Sequence, residues 1–324
     1  PAFARHKKHL EDTQDEQSLA ALLMRRAQAE EGETAAATWL EASQAFVRAG
    51  APERARLCED QAFEAAPTND EAFEALKVRA ADQPRRLADL LAARARARPD
   101  EAAAHLRERA VVLQAAREAL AAAAAWDDFL QHAPNDLEAL EERGELASEA
   151  GGAKSAQPFD RRLIQLGGDR LPGPVRRKLW LRLGNAALES EAWRDAADAF
   201  EQAFQLEPQG EKGAEALSSL AEAASRARDV GRLYATTLRL AERAEGAEAE
   251  ALYRRAASLY DDPALAIDAL DWLSKNRPAD EELYERTRRA LKDKGRLGEL
   301  LELHERHAGA AGGAKGAQAL LAAA

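Results

Sequence analysis

The chain has 324 residues, 46% of them hydrophobic, yet it holds only eight Val and Ile together. So few β-branched apolar side chains cannot furnish a sizeable sheet, whereas 79 Ala alongside abundant Leu, Arg, Glu and Gln are strong helix formers, so β and α/β folds are excluded and an all-α chain is expected. A formal net charge of −11, from 46 basic and 57 acidic residues, disfavours a nonspecific nucleic-acid binder, which needs a net basic face to release counterions.

Along the chain, residues 1–12 lack the apolar run of a signal peptide. The first residue is Pro1 rather than Met, so a longer native protein is expected. The compartment stays open, with the cytoplasm favoured and the periplasm possible if a leader has been removed. Gln14–Glu31 reads as a second helix whose first helix is mostly missing, which makes 1–33 a partial repeat. From there prolines set a rhythm. Pro67, Pro99 and Pro134 lie 32 and 35 residues apart, and Pro208 and Pro278 follow at two steps each. Each proline stands just past an Ala/Leu-rich stretch and stops that helix. Cap residues follow at once: Thr68 with Glu71 and Asn135 with Glu138 have capping-box spacing. Mid-unit breaks fall at Gly50-Ala51-Pro52, Gln83-Pro84, Gly151-Gly152, Asp229-Val230-Gly231, Asp261-Asp262-Pro263 and Lys294-Gly295. Each unit is therefore a pair of helices folded back on each other. The expected units are 34–67, 68–99, 100–134, 135–171, 172–210, 211–245, 246–278 and 279–311, in one continuous array. Residues 312–324 read as the start of a further, truncated repeat. No stretch approaches 18 consecutive apolar residues, so no direct membrane insertion is expected.

The stretch Arg177–Gly210 carries the strongest motif: Trp180, Leu183, Gly184, Ala187, Ala196, Phe200, Ala203 and Pro208. It resembles the tetratricopeptide repeat (TPR) at seven of eight signature positions, departing at Ala187, where that family usually has an aromatic. The unit 34–67 repeats it in part with Trp39, Phe46, Ala55, Ala62 and Pro67. The resemblance covers perhaps 300 residues by period but only these two units by motif. It implies a right-handed α-solenoid of about nine helix-turn-helix repeats, in which Trp180 and Phe200 fill the space between helix layers. A lone hairpin of this size cannot bury its apolar face, so each unit leans on its neighbours.

Candidate chemistry is sparse. His304 and His307 stand at i, i+3, a spacing that metal sites use, but no third ligand accompanies them and they read as a solvated helix end. His6 and His9 read the same way, and His105 and His132 as surface residues. Cys58 has no neighbouring base to activate it. The double glycines lack a phosphate-loop frame. Arg85, Arg86, Arg94, Arg96 and Arg98 read as a solvated face, and the five Trp as core. No enzyme, metal or cofactor is expected.

In repeats of the resembled family the first helices line a concave groove that holds peptides or partner helices. The resemblance implies groove positions at Gln44 and Arg48, at Lys178, Leu181, Asn185 and Glu189, and at Glu222 and Arg226. Gln44 and Asn185 take the same place, where an amide can grip a peptide backbone with donor and acceptor. The expected role is a scaffold for other proteins or peptides, in an oligomeric state the sequence leaves open. The alternative is a structural spacer or regulatory arm of a larger protein or envelope assembly. The GC-rich composition, 36 Arg against 10 Lys, suggests a bacterial source.

Overall fold

The computed structural model describes residues 2–311; the expected start of a further repeat at 312–324 lies outside them. The described residues hold seventeen α-helices and no strand. In chain order these are α1 (Ala2–Asp12), α2 (Glu16–Ala27), α3 (Gly32–Arg48), α4 (Pro52–Ala65), α5 (Asp70–Arg79), α6 (Pro84–Ala97), α7 (Ala102–Ala115), α8 (Ala119–His132), α9 (Leu137–Gly167), α10 (Gly173–Glu189), α11 (Trp193–Leu206), α12 (Gly210–Arg226), α13 (Val230–Ala241), α14 (Gly246–Ala257), α15 (Ile267–Asn276), α16 (Glu281–Asp293) and α17 (Leu297–Ala311). The N-terminal stretch thus carries both α1 and α2 rather than a single helix. α9 leaves helical geometry at Gly151 and Gly152, the second with φ +72°. The chain divides there into two compact units, Pro1–Glu149 and Ala150–Ala324.

Within each unit a helix packs chiefly on its chain neighbours: α2 on α3, α3 on α4, α6 on α7 and α7 on α8 in the first, α10 on α11, α11 on α12 and α12 on α13 in the second. This nearest-neighbour pattern is that of helix-turn-helix repeats stacked as a right-handed solenoid. The core of the first unit runs from Leu10 through Trp39, Phe46, Phe63 and Phe73 to Leu91, and continues through Leu106, Trp126 and Phe129. The second unit buries Phe200, Leu217 and Leu220, then Tyr253, Leu270, Leu273 and Leu291. Ala36, Ala62, Ala110, Ala196, Ala203 and Ala216 are fully buried between these rings, and such small side chains let helix axes approach at roughly 8–10 Å.

Helix starts follow the prolines, with a shift. Asn69, not Thr68, caps α5 by accepting the Ala72 N–H at 3.0 Å, and Asp136, not Asn135, accepts from Ala139 at 2.9 Å. Asp280 does the same for Leu283 at 3.1 Å. The cap thus stands two residues after Pro67, Pro134 and Pro278, and the expected capping boxes are corrected by one position. Proline holds the residue before it extended, and the residue after it completes the turn before the acceptor arrives.

Candidate functional site: the exposed face of the first helices

Each hairpin's first helix carries one buried stripe, and its exposed face follows by register. Trp39, Ala42, Ser43 and Phe46 are buried on α3; Phe73, Leu76 and Ala80 on and just after α5; Leu106, Ala110 and Leu113 on α7. In the second unit Leu183, Gly184 and Ala187 do this on α10, and Leu217, Leu220, Ala221 and Ala224 on α12. Five residues beyond Trp39, Phe73 and Leu106 in the first unit, and beyond Trp180 and Leu217 in the second, on the opposite side of the helix, stand Gln44, Val78 and Val111, and Asn185 and Glu222. All five are exposed.

The predicted residues divide between the units. On α3, Gln44 Nε2 donates to Glu71 Oε1 at 3.4 Å and Arg48 Nε pairs with Glu16 at 3.0 Å. The Gln44 amide is thus already engaged with the next first helix. On α10, Lys178, Asn185 and Glu189 are exposed, while Leu181 is half-buried against the core around Phe200. On α12, Glu222 pairs with Arg226 at 3.2 Å, and the Arg226 guanidinium lies 5.1 Å from the centre of the Trp193 ring.

The sequence reading missed Val78 and Val111. Val78 is 76% exposed and Val111 49%, and Val47 on α3 is exposed as well. Polar pairs brace the helices around them. Gln44 meets Glu71, Lys77 meets Glu108 at 2.8 Å, Arg107 pairs with Glu138, and Gln114 bonds Glu142. These pairs link α3 to α5, α5 to α7, and α7 to the first part of α9. Aligning Phe73 and Leu106 with Trp39 would have found the valines.

The signature residues occupy two environments. Ala55, Ala62, Ala196, Phe200 and Ala203 are buried, and Trp39 is 6% exposed. Pro67 is half-buried and Pro208 exposed. Trp180 departs from the expected core role. It is half-buried and floors, with Leu183, Ala187 and Ala199, an open groove of about 740 Å³ between α11 and the second part of α9. Trp193 and Trp272 are half-buried as well, and only Trp39 and Trp126 are core.

The expected solvated arginine face is also corrected. Arg94 is 2% exposed, donates to the Pro67 carbonyl at 2.7 Å, pairs with Asp70 and lies over the Phe73 ring at 4.9 Å. The Arg94 bond, helped by Arg98, holds the Asp70 carboxyl below its usual range. Arg85 pairs with Glu118 and Arg86 with Asp60, each at 2.8 Å. Arg94 has two counterparts in the second unit: Arg243 donates to the Pro208 carbonyl at 2.8 Å, and His307 Nδ1 lies 2.7 Å from the Pro278 carbonyl. In all three, a donor late in or just past the second helix satisfies the proline carbonyl of the turn that precedes its hairpin.

Nothing among the described residues assembles catalytic chemistry. No group of three or more His, Cys, Asp or Glu is placed to hold a metal ion. Burial pushes the Cys58 thiol up to about 11, so it is protonated and poorly nucleophilic at neutral pH. His304 and His307, expected at a solvated end, are each 3% exposed. No described helix is long and apolar enough to cross a membrane.

No family model and no curated protein matches the chain. Among solved structures, it is similar to the C-terminal part of a TPR repeat-containing protein from Cytophaga hutchinsonii, at 11% identity over 66% of this chain and 86% of that one, with a TM-score of 0.37. MamA is 16% identical over 62% and 96% of the two chains, with a TM-score of 0.33. Pseudomonas aeruginosa pilF is 18% identical over 77% and 95%, with a TM-score of 0.32.

Proposed function

We propose that this chain is a protein-binding scaffold whose first-helix faces receive a peptide segment or a partner helix. The supporting observation is the pair of exposed valines, Val78 and Val111, at one register position on consecutive first helices. Apolar side chains held out on a braced surface lose little ordering entropy when covered, and a row of them suits the apolar stripe of a partner helix or alternate side chains of an extended peptide. Gln44 and Arg48 border this row in the first unit. Lys178, Leu181, Asn185, Glu189, Glu222 and Arg226 offer a more polar counterpart in the second. Asn185 remains the better amide clamp, because Gln44 is held by Glu71.

The test is affinity capture with the wild-type chain and with a Val78→Asp/Val111→Asp double variant. Both sites are exposed, so the melt should be unchanged within about 0.5 kcal/mol, and specific partners should be lost. Partners retained at wild-type levels, with an unchanged melt, would count against the proposal.

A further inference from the structure

The α16–α17 hairpin holds two buried imidazoles in different hydrogen-bonding situations. His307 stacks on Tyr284 with ring centres 3.9 Å apart, its Nδ1 is 2.7 Å from the Pro278 carbonyl, and its Nε2 is 3.7 Å from Glu281. Nδ1 must donate to that carbonyl, and a second proton on Nε2 would face a carboxylate. His307 therefore has a partner on each nitrogen in the charged form. His304 does not. Its Nδ1 shares a 2.8 Å hydrogen bond with the Tyr284 hydroxyl, and both residues are buried, at 3% and 6% exposed. With the neutral ring carrying its proton on Nε2, the hydroxyl donates to Nδ1. An imidazolium would make Nδ1 a donor, so the hydroxyl would have to accept and send its own proton into a buried space.

The charged neighbours add to that cost. From α16, Arg288 opposes a positive His304 and Glu285 favours it; from its own helix, His307 opposes it. On α15, Asp271 is shared by Arg306, at 3.6 Å, and Lys275, at 2.6 Å. We propose that His304 is an acid-sensitive latch between α16 and α17, and that protonating it releases α17. Burial first, then Arg288, holds this imidazole below its ordinary 6.5. A group whose folded-state value is depressed stabilises the fold fully above its unfolded value. The docking of α17 is therefore strongest above about pH 6.5 and weakens as the pH falls from there toward the folded-state value. Released, α17 would uncover the apolar side of α16 at Leu283 and Leu291, which belong to the same core as Leu303.

Hydrogen exchange of the full chain tests this, with amide rates at pH 7.5 and 5.5 each divided by the intrinsic rate at that pH. Opening of α17 should rise up to about tenfold at pH 5.5, the ratio of protonated to neutral imidazole for an unperturbed histidine at that pH. Amides of α10 should change far less. His304→Gln and His304→Phe, neither of which titrates, should remove the dependence, whereas His307→Gln should keep it. No selective opening in the wild type, dependence surviving both His304 variants, or dependence lost only with His307→Gln would overturn the latch.

Discussion

Gly184→Ala should destabilise the second unit even though alanine is the better helix former. Replacing glycine inside a helix gains about 0.8–1 kcal/mol from backbone entropy. Against that, a Cβ at Gly184 would stand 2.6 Å from Cε1, 2.8 Å from Cζ and 2.9 Å from Cδ1 of Phe200. Real Cβ atoms do not come so close, so the ring or helix α10 must move. The ring has little room, because Phe200 is 1% exposed and packed in one cluster with Ala187, Leu217 and Leu220. Overpacking costs about 1–3 kcal/mol, and a confined ring puts this case at the upper part, about 2–3 kcal/mol, so the net loss should be about 1–2 kcal/mol. Urea unfolding followed by circular dichroism should show a lower midpoint. In the Gly184→Ala/Phe200→Leu double variant the two losses should fall short of additive by at least about 0.5 kcal/mol, because the smaller side chain vacates the contested space. A Gly184→Ala chain as stable as wild type would mean that α10 and α11 are not packed at this separation.

Trp39→Ala should cost about 3–5 kcal/mol, whereas Trp180→Ala should cost clearly less because part of its ring already faces the groove; equal losses in urea melts would contradict the two environments. Asp160→Ala should cost about 3–5 kcal/mol, since it removes the carboxylate that Arg182 meets at 2.9 Å in a buried pair. Replacing both partners together by Leu and Met should cost less, and a double variant as unstable as the single one would refute the reasoning. Cys58 should resist iodoacetamide at pH 8 in the folded chain and react rapidly once urea unfolds it, because its thiolate forms only near pH 11 in the fold. Equal rates would show that it is not buried.

The helix pairs were legible because proline and alternating apolar stripes report local chemistry. Turns were legible where glycine or proline marks them. Gly50 and Gly295 take positive φ between paired helices, at +70° and +68°, and both stand in the sequence as breaks. Arg117, Glu191 and Arg228 take the same left-handed conformation, at φ +60°, +55° and +55°, with no residue type to announce it. Burial of polar groups was the least legible. Arg94 and His307 look like ordinary surface residues until the proline carbonyls they satisfy are brought beside them from 27 and 29 residues away. Trp180 misled in the opposite direction, since a motif position reports a packing place but not how tightly the neighbouring second helices close over it. Of the proposed binding face, Gln44 and Asn185 followed from the family resemblance. Val78 and Val111 did not, because α5 and α7 substitute Phe73 and Leu106 for the tryptophan that marks the register.

One register position recurs on stacked first helices, and spin labels test this most directly. In a Cys58→Ala background, cysteines at Gln44, Val78 and Val111 would be labelled in pairs and their separations read by electron paramagnetic resonance. Stacked hairpins predict two similar short steps, each roughly 10 Å between adjacent helices, and a 44-to-111 separation about twice as long. A 44-to-111 separation no longer than either single step would mean a closed bundle instead of a row.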